Sequence, residues 1–361
     1  MFYHLLYPLH TWFGAFNVFR YITFRTAMAT LTALLVSLIL GPTLIRKLRQ
    51  FQIGQEIREE GPSSHQAKQG TPTMGGLLII TAIVLPTLLW ADLGNVFVWI
   101  VVVATVLFGA IGFVDDYLKV VKKTNLGFTA RQKLLAQVAV SLGIGFALYW
   151  LTDIGLFTTE LSLPFVKGLS PNLAWFYPVF VVIVLVSASN AVNLTDGLDG
   201  LAIGSSLIAW ATFTVLVYAA GNAVVAEYLG ITNVKGTAEL TIFCGSVVGA
   251  SLGFLWFNCH PAEVFMGDVG SMALGGALAT TAVLIKQELI LILVGGLFVI
   301  EAMSVILQVG SFRLRGRRIF RMSPIHHHFE LSGWSESKIV IRFWIIALIF
   351  SLLALATLKL R

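Results

Sequence analysis

The sequence predicts an all-α integral membrane protein of about ten transmembrane helices, with both termini periplasmic and its polar motifs gathered on the cytoplasmic face. Three observations lead there. Of 361 residues, 57% are hydrophobic and 12% charged, about half the charged share of a soluble domain. The apolar residues fall in runs close to the roughly 20 needed to cross a bilayer. Lys and Arg crowd alternate loops. A water-soluble globule and a disordered chain are excluded on the same grounds, and with two cysteines, Cys244 and Cys259, a disulfide framework is not expected.

The expected spans run in sequence as follows. Residues 24–45 stop at Arg46-Lys47, and 75–91 follow Thr71-Pro72, which reads as an N-cap with Pro at the first helical position. The third span, 96–114, ends at Asp115-Asp116, and the fourth, 134–151, starts after Lys133. Spans at 173–192 and 198–220 flank the polar stretch Asn190–Gly200, and 240–257 stops at Asn258. Residues 272–285 form a short eighth span, 289–309 a ninth that carries Glu301, and 339–358 the last. Residues 1–20 are aromatic-rich without a basic leader or a small-residue cleavage site, and read as an interfacial segment. The whole chain, 1–361, is expected to form one polytopic domain, with 310–338 a cytoplasmic loop carrying an arginine run and three histidines.

Orientation follows from the loops. Arg46, Lys47, Arg49, Arg58 and Lys68 follow the first span, Lys119, Lys122, Lys123, Arg131 and Lys133 the third, and Arg313, Arg315, Arg317, Arg318, Arg321 and Lys338 the ninth. The opposite loops hold only Lys167, Lys235 and Lys286. Positive-inside bias therefore accounts for most of the net charge of +6, and no nucleic acid is needed to explain it.

Distant motifs land on that basic face. They are Lys68–Gly76, Asp115-Asp116-Tyr117, Asn190–Gly200 with Asn193, Asp196 and Asp199, Asn258–Ser271 with Phe265 and Asp268, and Pro324–Glu330 with His326, His327 and His328. Helix N-termini and basic side chains suit phosphate, while separated carboxylates suit a hard cation such as Mg²⁺. Together they describe a metal-assisted site for a phosphorylated substrate at the membrane surface.

Each signal also has a plain structural reading. Asp115-Asp116 reads either as solvated charge past a helix end or as a functional pair whose members point about 100° apart. Asp196, Asp199 and Asp268 could cap the following helices; that role is favoured for Asp199, whereas the glycines beside Asp268 favour metal binding. Three consecutive histidines cannot easily converge on one ion, so phosphate contact or proton handling is the better reading. The run Arg313–Arg321 reads first as a membrane-surface anchor. Glu301, inside a span, is functional or bonds a neighbouring helix. Phe265 is an interface aromatic or a platform for a base, and the pairs Gly200/Gly204 and Gly249/Gly253 read as close helix-packing positions.

At these motifs the sequence closely resembles the phospho-N-acetylmuramoyl-pentapeptide transferase (translocase I) family. GTPTMGG, GFVDDY, NAVNLTDGLDGLAIG, GFLWFN, VFMGDVGS and PIHHHFEL stand in the family's order, over nearly the whole chain. NLTDGLDG and FMGDVGS mark the wider superfamily of polyprenyl-phosphate N-acetylhexosamine-1-phosphate transferases, and HHHFE with GTPTMGG narrows it. The resemblance implies a Mg²⁺-dependent inner-membrane enzyme, usually dimeric, with a cytoplasmic active site. It would transfer phospho-MurNAc-pentapeptide from UDP-MurNAc-pentapeptide to undecaprenyl phosphate, giving lipid I and UMP. By the same resemblance Asp268 is the metal ligand, and Asp115, Asp116, Asp268 and His326 are the catalytic candidates. Lys68, Asn258 and Phe265 match uridine positions, Asp196 lines the nucleotide pocket, and Lys133 is a further active-site position. Asn193, His327 and His328 complete the substrate-binding candidates. A related transferase using UDP-N-acetylglucosamine is the near alternative, and a membrane transporter the distant one.

Overall fold

In a computed structural model the protein is described over residues 1–50, 70–122, 127–164, 166 and 170–359, and among these there is no β-strand. Among the described residues fourteen α-helices follow one another. A short α1 (Phe2–Leu6) and two 3₁₀ turns precede α2 (Ile22–Gln50), α3 (Gly76–Trp90), α4 (Val96–Lys122) and α5 (Ala130–Asp153). Then come α6 (Tyr177–Thr195), α7 (Leu201–Gly221), α8 (Ala223–Leu229), α9 (Leu240–Asn258) and α10 (Gly267–Leu284). The last four are α11 (Ile290–Val294), α12 (Gly296–Arg315), α13 (Ile325–Glu330) and α14 (Glu336–Ala356). Among the described residues nine helices are long and apolar enough to cross a membrane, namely α2, α4, α5, α6, α7, α9, α10, α12 and α14. The 15-residue α3 is apolar but shorter.

α10 is the axle of the bundle. Every residue from Val269 to Leu284 is buried. A helix enclosed by protein needs little lipid-facing bulk, and its Gly, Ala, Ser and Thr residues let neighbouring backbones come close. A Cβ on Gly275 would strike Ser189 of α6, one on Gly276 the ring of Phe108 on α4, and one on Gly76 of α3 the backbone of Gly270. The same logic joins α2 to α9, where Gly249 lies on the Thr30 carbonyl and Gly253 on Ser37. Gly204 of α7 lies against the indole of Trp344 on α14. Gly204, Gly249 and Gly253 therefore serve close packing, whereas Gly200 makes only ordinary contacts and stands in the left-handed region at φ +78°.

Polar contacts sort the helix ends into two layers. At one end the Arg25 guanidinium grips the Glu239 carboxylate at 2.6 and 2.8 Å and donates to the Trp90 carbonyl at 3.3 Å. There too Lys286 meets Glu288 at 2.9 Å, and the Met1 ammonium donates to the Leu88 carbonyl at 2.8 Å. The start of α14 lies at the other end, where Glu336 accepts the Asp199 N–H at 2.8 Å. Met1 and the described end of α14 thus belong to the layer opposite the polar motifs. α3 joins both layers, with Gly76 against Gly270 and Trp90 bonded by Arg25. Residues 1–20 fold against this first end, Phe2 and Phe19 packing on Trp90 at 5.0 and 6.0 Å while Trp12 and Phe13 stay exposed.

Several boundaries differ from the sequence expectation. α4 runs on to Lys122, so Asp115 and Asp116 lie inside it rather than past its end. α10 starts at Gly267, five residues earlier than the apolar run suggests. The ninth span is split, with α11 and α12 meeting at Gly295, and α12 carries Arg313 and Arg315. Thr71-Pro72 does not open a helix: α3 starts at Gly76, and the Pro72 carbonyl accepts the Phe265 N–H at 2.8 Å. Cys244 and Cys259 are both free.

Replacing Gly249 by Val should lower the melting temperature in detergent, at a cost of about 1–3 kcal/mol, because the new Cβ meets backbone that has to move. Gly143→Ala, in α5 with nothing within 4 Å, should leave it unchanged or raise it slightly. Equal melting shifts for the two variants would contradict this packing.

Candidate active site

The site starts from helical spacing on α4. Asp115, Asp116 and Lys119 lie three and four residues apart and therefore share a face. Lys119 Nζ is 2.7 Å from Asp115 Oδ2 and 3.5 Å from Asp116 Oδ1. The two aspartates then diverge. Asp115 Oδ1 accepts the Phe128 N–H at 2.6 Å, while Asp116 Oδ2 accepts the Val269 N–H at 3.2 Å. That second donor belongs to the first turn of α10, where backbone N–H groups lack helical partners. Asp116 therefore caps α10 from another helix.

Asp268, in the same first turn, completes the cluster. Its Oδ2 receives Lys119 Nζ at 2.8 Å and Lys133 Nζ, from the start of α5, at 2.9 Å. Its Oδ1 receives the Asn193 Nδ2 of α6 at 2.7 Å, and that same nitrogen donates to Ser271 Oγ at 2.9 Å. Lys133 is also 3.7 Å from Asp115. Carboxylate oxygens of Asp115, Asp116 and Asp268 all lie within 4.8 Å of one another.

Negative charge is in excess here, three carboxylates against two ammonium groups. Asp196, in the connection between α6 and α7, registers it. Burial first, then the charges of Asp268, Asp116 and Asp199, push its carboxyl up to about 8, against a weaker opposing bond from the Gly267 N–H. The donor set is oxygen only, gathered from separate helices, beside the positive end of α10. Such a set fits a hard divalent cation of the Mg²⁺ class, which also keeps phosphate oxygens as partners. Lys119 Nζ, at the focus of the three carboxylates, stands where positive charge is wanted.

The loop before α3 is zipped to the one before α10. Phe265 donates its N–H to Pro72, Gly75 donates to the Phe265 carbonyl at 2.9 Å, and Gly76 donates to that of Met266 at 2.9 Å. Gly267 adopts φ +72°, and a Cβ there would press on the Asp116 carboxylate and the Thr73 hydroxyl. Only glycine suits both demands. Phe265 is half-buried on this zipper. Asn258 is buried, its Oδ1 taking the Gly200 N–H at 3.1 Å and its Nδ2 donating to the Val264 carbonyl at 2.9 Å. It ties the start of α7 to the Phe265 segment.

The remaining candidates divide. Asp199 is not a helix cap: Gly200, at φ +78°, takes that place, and the Asp199 carboxylate accepts the Ala262 N–H at 3.1 Å beside His260 at 3.2 Å. Asp196 and Asp268 are not N-caps either, since Asp196 ends α6 and Met266 precedes α10. The three histidines take separate polar partners, although the rings of His326 and His327 lie 4.2 Å apart. His326 is fully buried with Nδ1 3.1 Å from Glu301 Oε1, His327 meets Glu330 at 3.1 Å, and His328 Nδ1 accepts the Arg321 N–H at 3.2 Å. Lys68 lies outside the described residues. Lys119 and Ser271 were not singled out by sequence reasoning. Lys119 read as a loop charge, yet its spacing from Asp115 would have marked it had the helix been carried through the aspartates.

Known proteins bear on this geometry. The model of glycosyl transferase family 4 matches residues 98–286, which spans α4 to the end of α10. The phospho-N-acetylmuramoyl-pentapeptide-transferase signature 1 matches residues 68–80, the loop zipped to Phe265. The chain is 58% identical to a phospho-N-acetylmuramoyl-pentapeptide-transferase of Koribacter versatilis and 60% identical to one of Acidobacterium capsulatum. A third, of Desulfotalea psychrophila, is 57% identical, and all three alignments cover 100% of both chains.

The charge imbalance gives a pH signature. In the fold Asp196 keeps its proton up to about pH 8, whereas its ordinary value is 3.8. The native state therefore holds a proton that the unfolded chain releases, and stability falls as pH rises between those values. With divalent cations chelated, the melting temperature should decline across that window, and Asp196→Asn should flatten the decline. A wild-type decline of the same slope in Asp196→Asn would assign the effect elsewhere.

Proposed function

The chain belongs to the phospho-N-acetylmuramoyl-pentapeptide-transferase family, and we propose accordingly that it transfers phospho-MurNAc-pentapeptide from UDP-MurNAc-pentapeptide to undecaprenyl phosphate, leaving lipid I and UMP. The observation that carries this reading is the convergence of Asp115, Asp116, Lys119, Lys133 and Asp268 on the first turn of one buried helix. It is a phosphate-handling site with excess carboxylate, at the end of a bundle where a lipid headgroup would lie.

The reaction exchanges one phosphoanhydride for another and needs no ATP. An oxygen of the lipid phosphate attacks the sugar-linked phosphorus. The bond from that phosphorus to the UMP oxygen breaks, and UMP leaves with the electron pair. Two phosphates that repel each other must approach, so charge neutralisation is the main demand. Mg²⁺ held by Asp268 would neutralise the diphosphate and stabilise the departing UMP. Lys119 and Lys133 hold the remaining oxygens, and Asp115 orients the attacking phosphate or takes its proton. Asp116 fixes the first turn of α10 through the Val269 N–H. Phe265 stacks on the uracil, with Asn258 bracing the segment that carries it, and Lys68, Asn193 and Asp196 border the nucleotide. His326 serves at the reacting end, and His327 and His328 border the phosphates. Direct attack is favoured over a phospho-aspartate because Asp115 and Asp116 each have one oxygen bonded to a backbone N–H and the other facing the Lys119 ammonium.

The same reading makes α3 the tenth span, sets the site at the cytoplasmic face of the bacterial inner membrane with both termini periplasmic, and has the enzyme work as a homodimer. Lys119 and Lys133 at the site, with Arg46 and Lys47 toward the end of α2 and Arg131 at the start of α5, support the orientation.

Incubating the enzyme with undecaprenyl phosphate, Mg²⁺ and either UDP-MurNAc-pentapeptide or UDP-N-acetylglucosamine should give UMP and lipid product only from the first. Equal turnover of the second would reject the substrate assignment. A covalent adduct formed with the nucleotide alone would reject direct attack. Asp268→Asn should cut turnover by about two orders of magnitude or more and blunt the Mg²⁺ titration, as expected when a charge-stabilising group is lost.

A further inference from the structure

Glu301 and His326 form the one fully buried carboxylate–imidazole pair among the described residues, and both show no solvent exposure. They come from different elements, Glu301 from inside α12 and His326 from the short α13. Nδ1 of the ring is 3.1 Å from Oε1 of the carboxylate. Both oxygens of Glu301 and both ring nitrogens of His326 are otherwise without a hydrogen bond, so the 3.1 Å approach of Nδ1 to Oε1, which is close without being aligned as a hydrogen bond, brings the two groups together. The opposite edge of the ring is pressed on the loop that borders the acidic cluster. A Cβ on Gly197 would overlap His326 Nε2 and stand 2.9 Å from its Cε1. Gly197 directly follows Asp196. A buried carboxylate with a single neighbour is costly to leave unpaired, and a histidine's second nitrogen takes its role from what the first one bonds.

We propose that Glu301 is the positioning residue for His326: its nearby buried charge draws the imidazole proton to Nδ1 and leaves the Nε2 lone pair facing the Asp196-Gly197 turn. This rests on the reading of His326 as a residue of the reacting end. Glu301 itself touches no substrate. It decides which nitrogen can accept a hydrogen bond at the site, and through the contact with Gly197 it sets how closely that turn approaches α13.

The test uses the full chain in detergent or nanodiscs. Histidine ¹⁵N spectra, with the His326 signals identified by their loss in H326N, should show Nδ1 protonated and Nε2 bare. Glu301→Gln keeps size but offers an N–H, and should move the proton to Nε2. The same variant should lower kcat about tenfold or more, on the scale of a misdirected acid–base group, while KM for the nucleotide sugar stays within about twofold. In an H326N background Glu301→Gln should add no further loss. A bare Nδ1 in the wild type overturns the proposal without any substitution, so it stays testable even where Glu301→Gln does not accumulate. It is also overturned by a kcat within about twofold of wild type, or by an equal loss in the H326N background, which would mark Glu301 as merely structural. Full activity of H326N alone would instead refute the reading of His326, a failure separate from that of the tautomer.

Discussion

Three backbones meet at the first turn of α10, and the approach is possible only because glycine stands at each contact. A Cβ on Gly112 of α4 would sit on the Asp268 carbonyl, and one on Gly76 of α3 would sit on Gly270. Gly267 turns the chain at φ +72° beneath the Asp116 carboxylate. Without this close packing, Asp115 and Asp116 on α4 could not reach Lys119's other partner, Asp268, across the helix interface. Packing among small residues, the ordinary means of association for membrane helices, thus sets the distances on which the chemistry relies.

Electrostatics explains why that packing has to be tight. Pressing Asp115, Asp116 and Asp268 together is unfavourable unless positive charge sits among them. The fold supplies part of it, as Lys119, Lys133 and the N-terminal dipole of α10. The part not supplied is visible at Asp196, whose carboxyl is driven up to about 8 by burial and by these neighbours. A site left short of positive charge is poised for a cation and a cationic clamp on phosphate, while a site already neutral would have no use for either.

The sequence was a good guide where lipid contact writes the pattern and a poor one where protein contact does. Long apolar helices such as α2 and α14 leave most of their length unburied by protein, so hydropathy finds them. α10 is enclosed on all sides, needs no apolar coat at Gly267–Ser271, and therefore looks shorter than it is. α4 carries charge past Val114 because Asp115, Asp116 and Lys119 turn to the site, and ending it at Val114 hid Lys119. Thr71-Pro72 has the chemistry of a helix start, yet pairing with Phe265 holds it extended. Asp199 has the chemistry of a cap, but the left-handed Gly200 turns its side chain toward Ala262 and His260. The motifs told which residues matter, and only tertiary contact told which of them meet.

The opposite end of the bundle sharpens that distinction, because buried charge occurs there too. Arg25 and Glu239 face each other in a two-bond clasp, and Lys286 and Glu288 pair with the Tyr177 hydroxyl between them. These groups balance one cation with one anion, and they tie α2 to the start of α9 and α6 to the end of α10. Burial alone therefore does not mark a functional charge in this protein. What separates the two ends is stoichiometry: closed one-to-one pairs hold helices together, whereas the unbalanced set around Asp268 leaves work for a substrate and its cation. Glu301 and His326 differ from both, a buried one-to-one pair set beside the acidic cluster, with Nδ1 of the ring 3.1 Å from the carboxylate and Nε2 turned to Gly197.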